Sequence, residues 1–184
     1  MPTKLKKFNS LDLLVQICTY SISLIPLALI LGPAVVEILL FISTCTFIVY
    51  ILLKKEYYYF NNRFVQIFII FWIYLVVNSF FSNNFFISFK PSFFYIRFLF
   101  FSLSIWFVLE KNSNFIKLFL SILTFCFLAL TLDTIFTYFN EGVNIFGWRS
   151  PEKLNRISSF FNQEMIMGSY SVRLLPILFL GFYH

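Results

Sequence analysis

The chain has 184 residues, 60% of them hydrophobic, 23% aromatic and only 12% charged. So few charges cannot shield an apolar core from water, which excludes an ordinary soluble domain and fits a protein whose main solvent is lipid, as does a mean hydropathy of +0.85. A net charge of +6 would raise the question of nucleic acid, but the cations punctuate apolar runs rather than sharing a face, so they read as topology signals and no nucleic-acid partner is expected.

Runs able to cross about 30 Å of hydrocarbon fall at 11–31, 34–53, 64–81, 93–109, 115–139 and 165–183. They predict an all-α, polytopic transmembrane helix bundle of about six helices, with 1–184 as a single membrane-embedded region. The first run follows Lys4, Lys6 and Lys7 like a signal peptide, yet it is too long for one. No small-residue cleavage site precedes Gly32 and Pro33, so an uncleaved helix is predicted. Pro26 and Pro176 lie within the first and last runs, where neighbouring helices can absorb the freed backbone groups.

Between the runs, Gly32-Pro33 predicts a tight turn, 54–62 a short polar loop, 82–92 a loop with two adjacent asparagines, and 110–114 a cap for the fifth helix. The segment 140–164 is the long loop. Strands are disfavoured because the runs are apolar on all sides rather than alternating. Lys4, Lys6, Lys7, Lys54, Lys55, Arg63, Lys111 and Lys117 gather on one face and Lys90, Arg149, Lys153 and Arg156 on the other. The larger group predicts a cytoplasmic N-terminus and an external 140–164 loop.

Soluble-enzyme chemistry is sparse. Cys18, Cys45 and Cys126 sit inside apolar runs without C-x-x-C spacing, and His184 is the sole histidine, so no disulfide framework, metal site or His-dependent triad is predicted. There is no Gly-rich phosphate loop and no paired-carboxylate D-x-D, which disfavours ATP-driven transport by this chain alone.

Charges within apolar runs are the informative residues, because each is costly to insert and is rarely kept without a partner. Arg97 lies about 6 Å from the start of its run, Asp133 about 9 Å from the end of its own, and Arg173 about 7 to 12 Å from the start of the last. On the predicted topology all three occupy one slab beneath the outer face. The arginines can simply snorkel while Asp133 pairs with one of them. Alternatively Arg97 and Arg173 form a cationic pocket that holds a phosphate or pyrophosphate by bidentate hydrogen bonds, with Asp133 orienting one of them. In the outer loop, Arg156 and Glu164 flank Phe160 and Phe161, so the segment can dip into the interface. Glu164 is then a general base or a salt-bridge partner.

The stretch Arg156-Ile-Ser-Ser-Phe-Phe, then Glu164, Gly168-Ser-Tyr and Arg173-Leu-Leu-Pro176, resembles the O-antigen ligase and polymerase family of bacterial membrane proteins. That family's pattern is R-x-S-G-x-F, an acidic residue and G-S-[YF] leading into a transmembrane helix; Ser159 stands here where glycine is usual. Tyr95-Ile96-Arg97-Phe98 and the Asp133 helix also resemble the family's middle helices, so the likeness runs from about Pro91 onward.

The resemblance implies transfer of a glycan from an undecaprenyl-pyrophosphate-linked donor to lipid A core or to another glycan, at the periplasmic face of the inner membrane. Membrane lipid is the surrounding partner, and no cofactor is implied. It further implies Arg97, Arg156 and Arg173 as pyrophosphate-binding residues, Asp133 as an orienting group and Glu164 as the base. Members of the family are longer and carry a large later periplasmic loop, so this chain is expected to be the N-terminal part of a longer protein, inactive by itself. The alternative is a transporter or flippase using the buried charges as a substrate or proton path, and a third is a membrane-embedded assembly subunit without catalysis.

Overall fold

The computed structural model describes residues 10–149, 159–161 and 167–182. Its regular elements there are helical: α1 (Ser10–Ser23), α2 (Ile25–Leu31), α3 (Pro33–Lys54), α4 (Arg63–Phe80), α5 (Phe85–Phe94), α6 (Arg97–Lys111), α7 (Phe115–Phe139) and α8 (Met167–Phe182), with 3-10 turns at Tyr57–Phe60 and Ser159–Phe161. Among the described residues, four stretches are long and apolar enough to cross a membrane: Pro33–Lys54, Arg63–Phe80, Phe85–Lys111 and Phe115–Phe139. The bent pair α1 and α2 makes a fifth if counted as one span. The described residues of α8 number 16, fewer than a full crossing takes.

Helices suit lipid because they satisfy their own backbone groups, and their hydroxyls do likewise. Thr19 donates to the Val15 carbonyl at 2.7 Å, Thr124 to Leu120 at 2.8 Å and Thr134 to Leu130 at 2.6 Å.

Two predicted boundaries shift. The 11–31 run is interrupted at Leu24, because Pro26 stands in the first turn of α2 and has no N–H to donate backward. Residues 82–92, predicted as a loop, are helical from Phe85 onward. Phe85, Phe89 and Phe93 recur every fourth residue and form a ladder, with centroids 5.1 and 5.8 Å apart, that continues to Phe80 and Trp72 of α4. Packing along that stripe outweighs the breaking tendency of the asparagines and of Pro91. What remains of the break lies at Tyr95 and Ile96, where Tyr95, Phe98 and Leu99 donate to carbonyls three residues back. The Trp72 indole donates to the Phe93 carbonyl at this joint, 3.2 Å away.

Two compact units divide the chain: residues up to Ile22 with Leu40–Ser113, and Ser23–Leu39 with the residues from Asn114 onward. In the first, Phe47, Tyr59 and Phe107 are fully buried and pack ring to ring, with Tyr50 against Phe107 at 4.7 Å. One polar end closes over them. Lys111 pairs with Glu56 at 3.0 Å, and the Tyr58 hydroxyl donates to Glu110 at 2.6 Å, which joins the ends of α3 and α6. Burial pushes the Tyr59 phenol well above its ordinary range, and desolvation together with the Glu110 bond raises that of Tyr58.

In the second unit α7 is central, packed by α2, α8 and the Ser159–Phe161 turn. Leu130, Phe161 and Tyr170 form its core, and the Tyr170 hydroxyl donates to the Pro26 carbonyl at 3.0 Å. Gly181 lets α8 approach Leu120 closely; a Cβ there would meet the Leu120 side chain, with Cγ at 2.9 Å.

Candidate functional site

The polar centre of the second unit is built on Asp133, fully buried six residues before the end of α7. A buried carboxylate is tolerable when both oxygens accept hydrogen bonds, and both do. Ser159 donates its hydroxyl to Oδ2 at 2.6 Å and Ile145 its backbone N–H to Oδ1 at 3.1 Å. Among the described residues, these are the hydrogen bonds its carboxylate receives.

The loop reaches Asp133 because the chain reverses directly after α7. Glu141 and Gly142 take φ of 50° and 83°, and the Gly142 N–H returns to the Thr137 carbonyl at 3.0 Å. Asn144 then organises the turn. Its Oδ1 accepts from the N–H groups of Phe146 at 3.1 Å and Trp148 at 2.8 Å, while its Nδ2 donates to the Ser159 carbonyl at 3.1 Å. Gly147, at φ 80°, lets the turn close so that Val143 and Arg149 pair as an isolated antiparallel bridge. Ser159, itself at φ 52°, is thus held at both its hydroxyl and its carbonyl.

Beside this anchor lies an apolar cleft of about 910 Å³. Its walls include Ile30 of α2 with Phe125 and Ala129 of α7, and the loop contributes Phe146, Trp148 and Phe160. The last three form an aromatic group, with Phe146 5.6 Å from Trp148 and 5.5 Å from Phe160. Among the described residues, none that lines the cleft is charged, so hydrocarbon is the occupant it suits. The Asp133 network determines where the loop aromatics stand, and therefore the shape of the cleft.

The residues singled out from sequence fall in different places. Asp133 is held with Ser159 and the 144–148 turn. Arg173 is exposed on α8, and none of the described hydrogen bonds to Asp133 comes from it. Arg97 belongs to the first unit, at the start of α6, exposed, with its guanidinium 5.0 Å over the Phe98 ring. Arg156 and Glu164 lie outside the described residues, as do Lys153 and His184. Among the described residues no cluster of three or more His, Cys, Asp or Glu could hold a metal.

Sequence reasoning missed Asn144. The available signal was Asn144-Ile-Phe-Gly147, an asparagine three residues before a glycine, which is turn chemistry in its own right. No family model, curated protein or solved structure matches the chain.

Proposed function

We propose that this chain is a membrane-embedded glycan transferase, or a piece of one, using an undecaprenyl-pyrophosphate-linked donor at the periplasmic face of a bacterial inner membrane. Its acceptor would be lipid A core or a growing polysaccharide, as in O-antigen ligases and polymerases. In this reading the N-terminus is cytoplasmic and the chain crosses six times, with α1 and α2 as one crossing and α8 as the last. The observation that carries the reading is the large apolar cleft roofed by the loop that bears the family-like motif. An isoprenoid tail needs hydrocarbon walls, and its pyrophosphate needs cations at the mouth. A second observation supports the motif locally. Ser159 stands where the resembled pattern carries glycine, and its φ of 52° is the left-handed conformation that glycine adopts most readily.

Glu164 takes the proton of the acceptor hydroxyl, whose oxygen attacks the sugar C1. The bond from C1 to the pyrophosphate oxygen breaks with its electrons remaining on the leaving group, where Arg156 and Arg173 neutralise the charge. Asp133 orients the loop that carries Arg156.

Deleting the encoding gene should remove the long surface-polysaccharide ladder on a gel. Arg173→Lys should fail to restore it despite normal insertion, since a point charge cannot replace a bidentate fork. The interruption at Leu24 favours a transporter as the second reading, because broken helices often line substrate paths. An intact ladder with lost solute uptake would replace the transferase by that reading.

A further inference from the structure

The first unit carries a second concavity, unrelated to the cleft beneath the loop. At the joint of α5 and α6, Lys90, Pro91, Phe94, Tyr95, Arg97 and Phe98 line a groove of about 370 Å³. Lys90, Phe94, Arg97 and Phe98 follow at spacings of four, seven and eight residues and so share one helical face. That face is distinct from the stripe of Phe85, Phe89 and Phe93, whose rings run on to Phe80 and Trp72 of α4. The cations are exposed on the groove side. From Tyr57 to Leu109 the chain contains Arg63, Lys90 and Arg97 and no Asp or Glu, so this stretch carries a formal charge of +3 and favours an anionic ligand.

Depth assigns the ligand. Lys111, paired with Glu56 in the polar end of this unit, marks one membrane boundary. At 1.5 Å per residue Arg97 lies about 21 Å and Lys90 about 32 Å along the helix from it, against roughly 30 Å of hydrocarbon. Lys90 therefore sits at headgroup level on the opposite boundary, and Arg97 about 10 Å below it, close enough to reach upward. Tyr95, stacked 6.0 Å from Phe68 of α4, stiffens the wall between them, and the Phe98 ring holds the guanidinium.

We infer that this groove binds the phosphodiester of an anionic phospholipid between Lys90 and Arg97, with an acyl chain laid along Phe94 and Phe98. Two cations at different depths clasp one phosphate from above and below, and the aromatic floor takes the chain. Zwitterionic lipids carry the same phosphate with a compensating ammonium, so the groove discriminates by net charge. The site does not depend on the proposed transfer reaction, since its readout is lipid retention rather than glycan.

The full chain, delipidated in a neutral detergent, is offered equal amounts of phosphatidylglycerol and phosphatidylcholine, and bound lipid is counted by native mass spectrometry. Phosphatidylglycerol should be retained in preference, with Lys90→Gln and Arg97→Gln each cutting that preference roughly fivefold and the pair abolishing it. Lys90→Arg should preserve it. Lys90→Gln changes an exposed side chain, so it reports even if the Arg97 variant fails to fold. Equal retention of both lipids by the wild type overturns the inference, as does an unaltered preference in Lys90→Gln. Displacement of the lipid by soluble glycerol phosphate at the same concentration would also overturn it, because then the chain contributes nothing.

Discussion

Replacing Ser159 separates the two forces acting on the outer loop. Its hydroxyl donates to a buried carboxylate at 2.6 Å, a bond to a charged group worth about 1.5–3 kcal/mol. Its backbone sits at φ 52°, where a Cβ costs about 1–2 kcal/mol. Ser159→Ala removes the bond and keeps the strain, so the loop should open more easily by about 1.5–3 kcal/mol, a roughly ten- to hundredfold rise in local exchange. Ser159→Gly removes the same bond but sheds the strain, and should exchange about tenfold more slowly than the alanine variant. The assay is hydrogen exchange in nanodiscs, read at the amides of Ile145, Phe146 and Trp148, which bond to Asp133 and Asn144. If the alanine variant proved as protected as the glycine variant, or more so, the left-handed strain would be wrong. If neither differed from wild type, the Asp133 anchor would be wrong.

Three further outcomes follow from the packing. Asp133→Ala strands the Ser159 hydroxyl and the Ile145 N–H, at about 2–4 kcal/mol, and should speed proteolytic cleavage within 140–161, whereas Asp133→Asn, which keeps one acceptor, should be intermediate. Gly181→Val drives a branched side chain into Leu120, should lower the unfolding midpoint in denaturing detergent by about 1–3 kcal/mol, and should be partly rescued by Leu120→Ala. Tyr59→Phe removes a buried hydroxyl that has no hydrogen-bond partner among the described residues and should be neutral or stabilising at pH 7. Because burial holds the Tyr59 phenol protonated, its contribution is fully present below the ordinary value of about 10 and is lost as pH rises toward the elevated folded value. Melting curves above pH 10 should therefore fall less steeply for the phenylalanine variant, and parallel declines would contradict this.

The helices were legible where their cause is local. The 115–139 run coincides with α7 and the 34–53 run lies within α3, because an unbroken apolar stretch of that length has one economical conformation in lipid. The segment 82–92 misled because its turn-forming residues were weighed by type, while the four-residue recurrence of Phe85, Phe89 and Phe93 expresses itself only once α4 lies alongside. Asp133 stood out because a carboxylate in an apolar run demands a partner. Its described partners, Ser159 and the Ile145 amide, were hidden because one is a small hydroxyl beyond a chain reversal and the other a backbone group that carries no side-chain signature.

Composition and run length by themselves determined that this protein is helical and suited to a membrane, since both follow from summing transfer preferences along a contiguous stretch. Tertiary structure decided which polar groups meet. It gave the Asp133 carboxylate to the Ser159 hydroxyl and the Ile145 amide, and the Asn144 side chain to the Ser159 carbonyl. Hydrogen-bond partnership depends on a few ångströms of approach between distant residues, and turns, kinks and ring packing set that approach where hydropathy cannot.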